Sequence, residues 1–406
     1  MATKFTPFKV SGPWRGVLLD QLGRDIPPNA FRVLDEFHIH ENRVMKYLGW
    51  EEWKNSAGGS MLSSQDFLNF GYDFELQNGT RVFLVGSNKH IYSYPRSGEF
   101  TQLNTTPFSA TKWDRWQAAE LSNQLFLVNG VDPIQVFDGV ELKNLSSVAD
   151  SHIPEAARYV ENLVSHLTLA YTTESNTVYR QRVRWSKIDN PLVWEPSAGD
   201  NNEAGYFDFP QDLGVITGVR NLGPNAAIVY GTKQIYQMSY IGLPYVFSFE
   251  RRVPDEGLFA PYSLASVNDT HFFLGSRDFY MFSGSLKALG FDRVIGTFWG
   301  EFDKRNSNAV YSFVHPYFNE VWWVYKSRNE PDLDFSKALI YNWQTDTWST
   351  RGNTTAFKFT FLSIYMDSSS RTIAEATNTI QEAKGTFREK ESAGNLTVVG
   401  GFAHGS

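Results

Sequence analysis

Residues 125–139 read LFLVNGVDPIQVFDG, two short apolar runs joined by a turn. The first run, Leu125-Phe126-Leu127-Val128, is apolar without a break, the pattern of a strand buried on both faces. Asn129-Gly130 then opens a polar turn, and Gln135-Val136-Phe137 mixes polar and apolar positions as a following strand does. The same phrase recurs at 82–85 (VFLV) with 91–94 (IYSY), 167–171 (LTLAY) with 183–186 (VRWS), and 227–230 (AIVY) with 235–238 (IYQM). It recurs again at 272–274 (FFL) with 279–282 (FYMF), and at 321–325 (VWWVY) with 340–343 (IYNW). A weaker seventh copy is 373–376 (IAEA) with 379–381 (TIQ).

The copies lie roughly 40 to 60 residues apart, the length of a four-stranded propeller blade. Further strands fit around each hairpin. Upstream are 67–76, 113–120, 215–220, 262–267 and 309–314; downstream are 100–104, 192–195, 246–250 and 347–349. The predicted fold is therefore all-β: a β-propeller of six or seven four-stranded blades over residues 46–384. Residues 357–361 (FKFTF) alternate apolar and polar and are read as a strand that helps close the ring. The competing reading, a β-sandwich with similar hairpins, does not require one phrase at regular intervals. Long helices find little support: 153–162 is a short helical candidate and 382–392 is polar and poorly patterned. Residues 1–45 read as an arm laid along a surface, and 385–406 as a polar tail.

Composition narrows the function. Aromatics make up 16% of the 406 residues, which favours strands whose flat side chains stack across neighbours. Cysteine is absent, so disulfides and thiolate metal sites are excluded. The net charge of −7 is spread without blocks, which argues against sequence readout of DNA but not against a conduit that lets DNA move. No run approaches a membrane-spanning length, so no membrane insertion by this chain is expected.

Several phrases resemble the tail nozzle or tail hub proteins of short-tailed bacteriophages, also called packaged-DNA stabilisation or tail tubular proteins. They are 125–139; 183–194, VRWSKIDNPLVW; 228–249, IVYGTKQIYQMSYIGLPYVFSF; and pieces of 256–292 such as GLFAPYSLA, HFFLGSRDFYMFSG and LGFD. The resemblance implies a structural ring, usually a hexamer, beneath the portal and adaptor (head-tail connector) rings in the virion tail. Its bore passes double-stranded DNA without sequence readout, and it carries a needle, fibre or tailspike. The alternative is a carbohydrate-binding or carbohydrate-cleaving receptor-binding propeller; a cellular protein-binding propeller is a third.

Candidate sites are sparse. His38-Ile39-His40, with Glu36 and Glu41 nearby, places two imidazoles on one strand face but supplies no third ligand at a recognised spacing; an ordinary surface strand is the preferred reading. Asp132, Asp138, Asp189, Asp208 and Asp212 read as turn caps. No nucleophile motif or phosphate loop is present, so no catalytic residue, metal or cofactor is expected. Arg180, Arg182 and Arg184 alternate along one strand and share a face. They suit either a subunit boundary or a solvated face. Phe5, Phe8 and Trp14 in the arm are candidate assembly contacts, since apolar residues without a core of their own need a partner surface.

Overall fold

The computed structural model describes residues 12–47, 49–54, 62, 66–96, 98–196, 203–329, 335–352, 358–366 and 396–402. Among these residues the chain is an all-β, six-bladed β-propeller whose blades are four-stranded antiparallel meanders. Blade 1 comprises Leu68–Glu75, Arg81–Ser87, Ile91–Tyr94 and Thr101–Gln102. Blade 2 comprises Gln117–Leu121, Gln124–Val128, Gln135–Phe137 and Leu142–Asn144. Blade 3 comprises Ala156–Leu163, His166–Glu174, Thr177–Trp185 and Gly205–Asp208. Blade 4 comprises Ile216–Asn221, Ala226–Gly231, Ile235–Gly242 and Val246–Val253. Blade 5 comprises Ala265–Val267, Thr270–Leu274, Phe279–Phe282 and Leu286–Ala288; blade 6 comprises Val310–His315, Glu320–Tyr325, Lys337–Asn342 and Thr347–Arg351.

The unbroken apolar runs are the second strands of five blades; in blade 3 the second strand carries the run Leu167–Tyr171, interrupted by the buried Thr168. Residues 125–128 and 321–324 are almost wholly excluded from solvent, as are 82–85, 227–230 and 272–274. Each pairs only with the first and third strands of its own blade. Continuous hydrophobicity follows from that position, because such a strand is covered on both faces by neighbouring sheets. The weak seventh copy and the polar segment 382–392 lie outside the described residues.

The chain divides into two compact units, Met1–Glu51 with Ser263–Lys358, and Glu52–Tyr262 with Phe359–Ser406. In the first unit, the expected arm runs beside the outer strand of blade 6. Val17 N–H donates to Trp348 O at 2.8 Å, Thr350 N–H to Leu34 O at 3.0 Å, and Glu36 N–H to Thr350 O at 3.0 Å. Gly16, at φ +73°, permits this approach: a Cβ there would sit 2.6 Å from the Trp348 backbone. The arm ends in a hairpin, Phe37–His40 with Arg43–Lys46. In passing, Asp20 accepts the N–H groups of Gly296 and Thr297, both at 2.7 Å, at the start of the seven-residue helix Ile295–Glu301.

In the second unit, Phe359–Met366 pairs with Leu396–Phe402 and packs on blade 1, where Phe361 and Tyr365 meet Phe83, Val85 and Tyr94. Gly71 leaves the room; a Cβ there would lie 2.5 Å from the Phe361 ring.

Four sequence expectations are corrected. Residues 385–406 are not all tail, since Leu396–Phe402 is a strand; its partner Phe359–Met366 supplies the ladder that a polar composition hides. Residues 153–162 are not helical: Ala156–Leu163 is the first strand of blade 3, its apolar residues facing two cores. Residues 192–195 are not a strand. They form a loop that plugs Trp194 into the core beside blades 2 and 3, with its Nε1–H donating to Pro191 O at 2.7 Å. The blade's fourth strand is Gly205–Asp208 instead. Residues 113–116 precede the first strand of blade 2, which starts at Gln117.

Candidate functional site

Three polar constellations stand out, and two involve residues singled out above. The first surrounds His38. It is buried rather than lying on a surface strand, because the hairpin folds onto blade 6. Its Nδ1 lies 2.8 Å from Glu320 Oε1, while Tyr47 Oη and Trp322 Nε1 each donate to Glu320 Oε2 at 2.9 Å. Glu320 is itself wholly buried, so three donors converge on one carboxylate that water does not reach. The His38 ring stacks on Tyr47 with centroids 4.3 Å apart and meets the edge of Phe318 at 4.4 Å. His40 stacks on Tyr317 instead, at 5.9 Å. The two imidazoles stack on each other at 6.3 Å and share Phe318, and no cluster of three His, Asp or Glu residues able to hold a metal occurs among the described residues.

The second constellation contains the arginines of blade 3. Arg182 makes a two-pronged pair with Asp208, both bonds 2.7 Å, and reaches Glu174 at 3.1 Å. Its guanidinium lies between the rings of Tyr179 and Tyr206, at 3.7 and 4.4 Å from their centroids. The bonds to Asp208 hold its pKa above the ordinary guanidinium value. Arg184 also reaches Glu174, at 2.6 Å, and donates to Trp194 O at 2.9 Å. Arg180 remains exposed. Arg182 and Arg184 converge on Glu174, and theirs is not a solvated face: Glu174 and Asp208 neutralise them from within the blade, while the ladder is irregular between Tyr179 and Val183, where Arg180 lies. Asp208 is accordingly an ion-pair partner rather than a turn cap. Asp138 does cap its turn, accepting the N–H groups of Val140 and Glu141, whereas Asp132 accepts those of the distant Ser109 and Ala110 and its own turn is capped by Asn129.

The third constellation was not read from the sequence. It lies on the first strands of blades 1 to 4, which approach one another blade by blade in the second unit. Tyr72 Oη donates to Glu120 Oε1 at 2.9 Å, and Arg220 Nη1 to Glu161 Oε2 at 3.1 Å. Burial, and then the nearby Glu120, push the Tyr72 phenol up. Asn162 Nδ2 donates to Glu120 O at 2.8 Å and Asn221 Nδ2 to Asn162 O at 2.5 Å, stitching the blades in order. The signal available in the sequence was one polar residue per copy at the end of the upstream strand, which single-strand patterning does not register.

Trp14 is half-buried, its ring 5.2 Å from Phe31 and its Nε1–H donating to Asn42 O. Phe5 and Phe8 lie outside the described residues.

The chain matches no known protein family and no curated protein. Solved structures with a similar fold include virginiamycin B lyase from Staphylococcus aureus, 9% identical, with 72% of this chain and 87% of that one covered and a TM-score of 0.44. The Pan2 WD40 domain of Neurospora crassa is 8% identical, with 74% and 84% covered and a TM-score of 0.41. The extracellular domain of a hybrid two-component system from B. thetaiotaomicron is 11% identical, with a TM-score of 0.38; 71% of this chain is covered and 34% of that one. These are similarities of fold alone.

Proposed function

We propose that the chain is a structural nozzle or hub subunit of a short-tailed phage tail. In this reading it forms a ring, a hexamer by the resemblance, below the portal and adaptor. The ring continues the DNA channel and carries the needle, fibre or tailspike, without catalysis. The supporting observation is the net charge of −7 without a basic block, together with the pairing of the blade 3 arginines Arg182 and Arg184 to Asp208 and Glu174. A ring wall that is not basic keeps phosphates mobile, whereas a basic one would hold them. Negative-stain microscopy of the purified protein tests the reading. Rings with a central bore are expected; monomers that bind glycans would overturn it.

One observation favours a second reading, a carbohydrate-processing propeller. Glu120 and Glu161 stand on adjacent first strands, each held by a neighbour, Tyr72 or Arg220. Paired carboxylates are what glycoside hydrolysis needs. Release of reducing sugar from a glycan panel, abolished in both Glu120→Gln and Glu161→Gln, would favour it over the nozzle.

A further inference from the structure

The six blades provide an internal comparison for the turn between third and fourth strands. In blade 1 that turn carries Arg96 and Glu99, in blade 2 Asp138 and Glu141, in blade 5 Ser283 and Ser285, and in blade 6 Gln344 and Asp346. The longer connection of blade 3 carries Lys187 and Asp189. Each of these turns carries charged or hydroxyl side chains, even in blade 1, where Arg96 folds back onto Asp73, and in blade 2, where Val140 is 78% exposed between Asp138 and Glu141. In blade 4 the turn reads Ile241-Gly242-Leu243-Pro244-Tyr245, and its side chains stand out into solvent: Ile241 is 53% exposed, Leu243 49% and Tyr245 76%. No charged residue occurs from Gln234 to Phe249; Lys233 and Glu250 bound the run.

The tip is presented on a rigid base. Phe247, buried below it, meets Trp185 at 5.1 Å, His166 at 5.2 Å and Tyr240 at 5.7 Å. Little ordering remains to be done on binding, which favours a preformed wedge. The backbone is also largely satisfied: Gly242 pairs with Val246, Phe247 N–H donates to Tyr245 O at 2.7 Å, and Pro244 has no N–H.

We infer that this tip is a wedge that docks into the interface of a lipid bilayer. Three arguments select that occupant. The tip can sink without burying a charge. Its tyrosine combines an apolar ring with a hydroxyl, the chemistry that settles at the headgroup level. The exposed apolar surface is roughly 300 Å², well short of the ~800 Å² per partner that a stable protein interface buries, so the tip alone does not hold a second copy. The wedge reaches only the interface and spans nothing, and the inference does not rest on the tail reading.

The test is cosedimentation of the full chain with phosphatidylcholine vesicles at low and high salt. The wild type is expected to bind neutral vesicles equally at both, because the contact is apolar. The combined variant Ile241→Ser, Leu243→Ser, Tyr245→Ser should lose about tenfold or more in partitioning with an unchanged melting temperature, since the three residues are exposed. Absence of wild-type binding would overturn the inference, as would equal binding by the variant or binding confined to anionic vesicles and removed by salt. Tip-dependent self-association in sedimentation velocity without vesicles would assign the tip to a second copy and likewise overturn it.

Discussion

Glu320 shows how one residue can anchor a distant segment. Its carboxylate accepts from His38 and Tyr47 of the arm and from Trp322 of its own strand. Glu320→Gln replaces an acceptor by a donor among buried donors, and should cost about 3 kcal/mol in unfolding free energy. Coupling to His38→Gln in a double-mutant cycle checks it; additive effects would show that the contact contributes nothing. His38 is committed to this contact, so chelator treatment should leave the melting temperature unchanged. Buried titratable groups give pH dependence of two signs. Burial raises the Asp278 carboxyl to about 6, despite N–H bonds from Phe279 and Gly290. The folded state then holds that proton more tightly than the unfolded chain, where Asp titrates near 4. The associated stability is present below pH ~4 and lost as pH rises through about 6, on the order of 2 kcal/mol. Asp278→Asn keeps the acceptor oxygen and should remove this loss, measured as melting temperature against pH. Burial lowers the pKa of His166 and His315. Their contribution is present above pH ~6.5 and falls away as pH drops below it. His166→Gln should flatten that acid limb; an unaltered slope would locate it elsewhere.

At the scale of elements, the arm is tied to the outer strand of blade 6 by isolated backbone bridges at Gly16 and Asp35 rather than being a loose appendage. It satisfies part of the outer edge of blade 6 and caps the helix through Asp20. Removal of residues 1–35 should therefore lower the melting temperature by several degrees. Limited proteolysis of the truncated chain should cut first within 290–351, where the covering segment is lost. The hairpins of all six blades were legible in the sequence because their buried second strands are dominated by apolar residues, with few polar positions such as Thr168 to blur them. The outer strands were less so. Gly205–Asp208 of blade 3 is short and mixed, while the apolar segment ending in Trp194 imitates a strand although it is a loop.

At the scale of the whole molecule, assembly is the property that the nozzle reading stakes most on. Trp14 already packs on Phe31, so residues before it, including Phe5 and Phe8, are the part of the arm to test. Deleting residues 1–15 should leave the propeller folded, by circular dichroism, yet weaken ring formation or binding to the adaptor. Unchanged affinity for the adaptor would remove that role from the arm.

The sequence by itself determined the class of fold, a propeller of six or seven blades, and located the hairpins of the six blades described, since a strand covered on both faces is largely apolar and so repeats a visible phrase. It also put Arg182 and Arg184 on a common face, because strand geometry has period two. Only the tertiary structure decided what that face meets. Glu174 and Asp208 close it from other strands, Glu320 reaches His38 from nearly three hundred residues away, and Tyr72 and Arg220 reach Glu120 and Glu161 from neighbouring blades. Such pairings depend on which strands become neighbours in space, and local patterning along a chain carries no record of that choice.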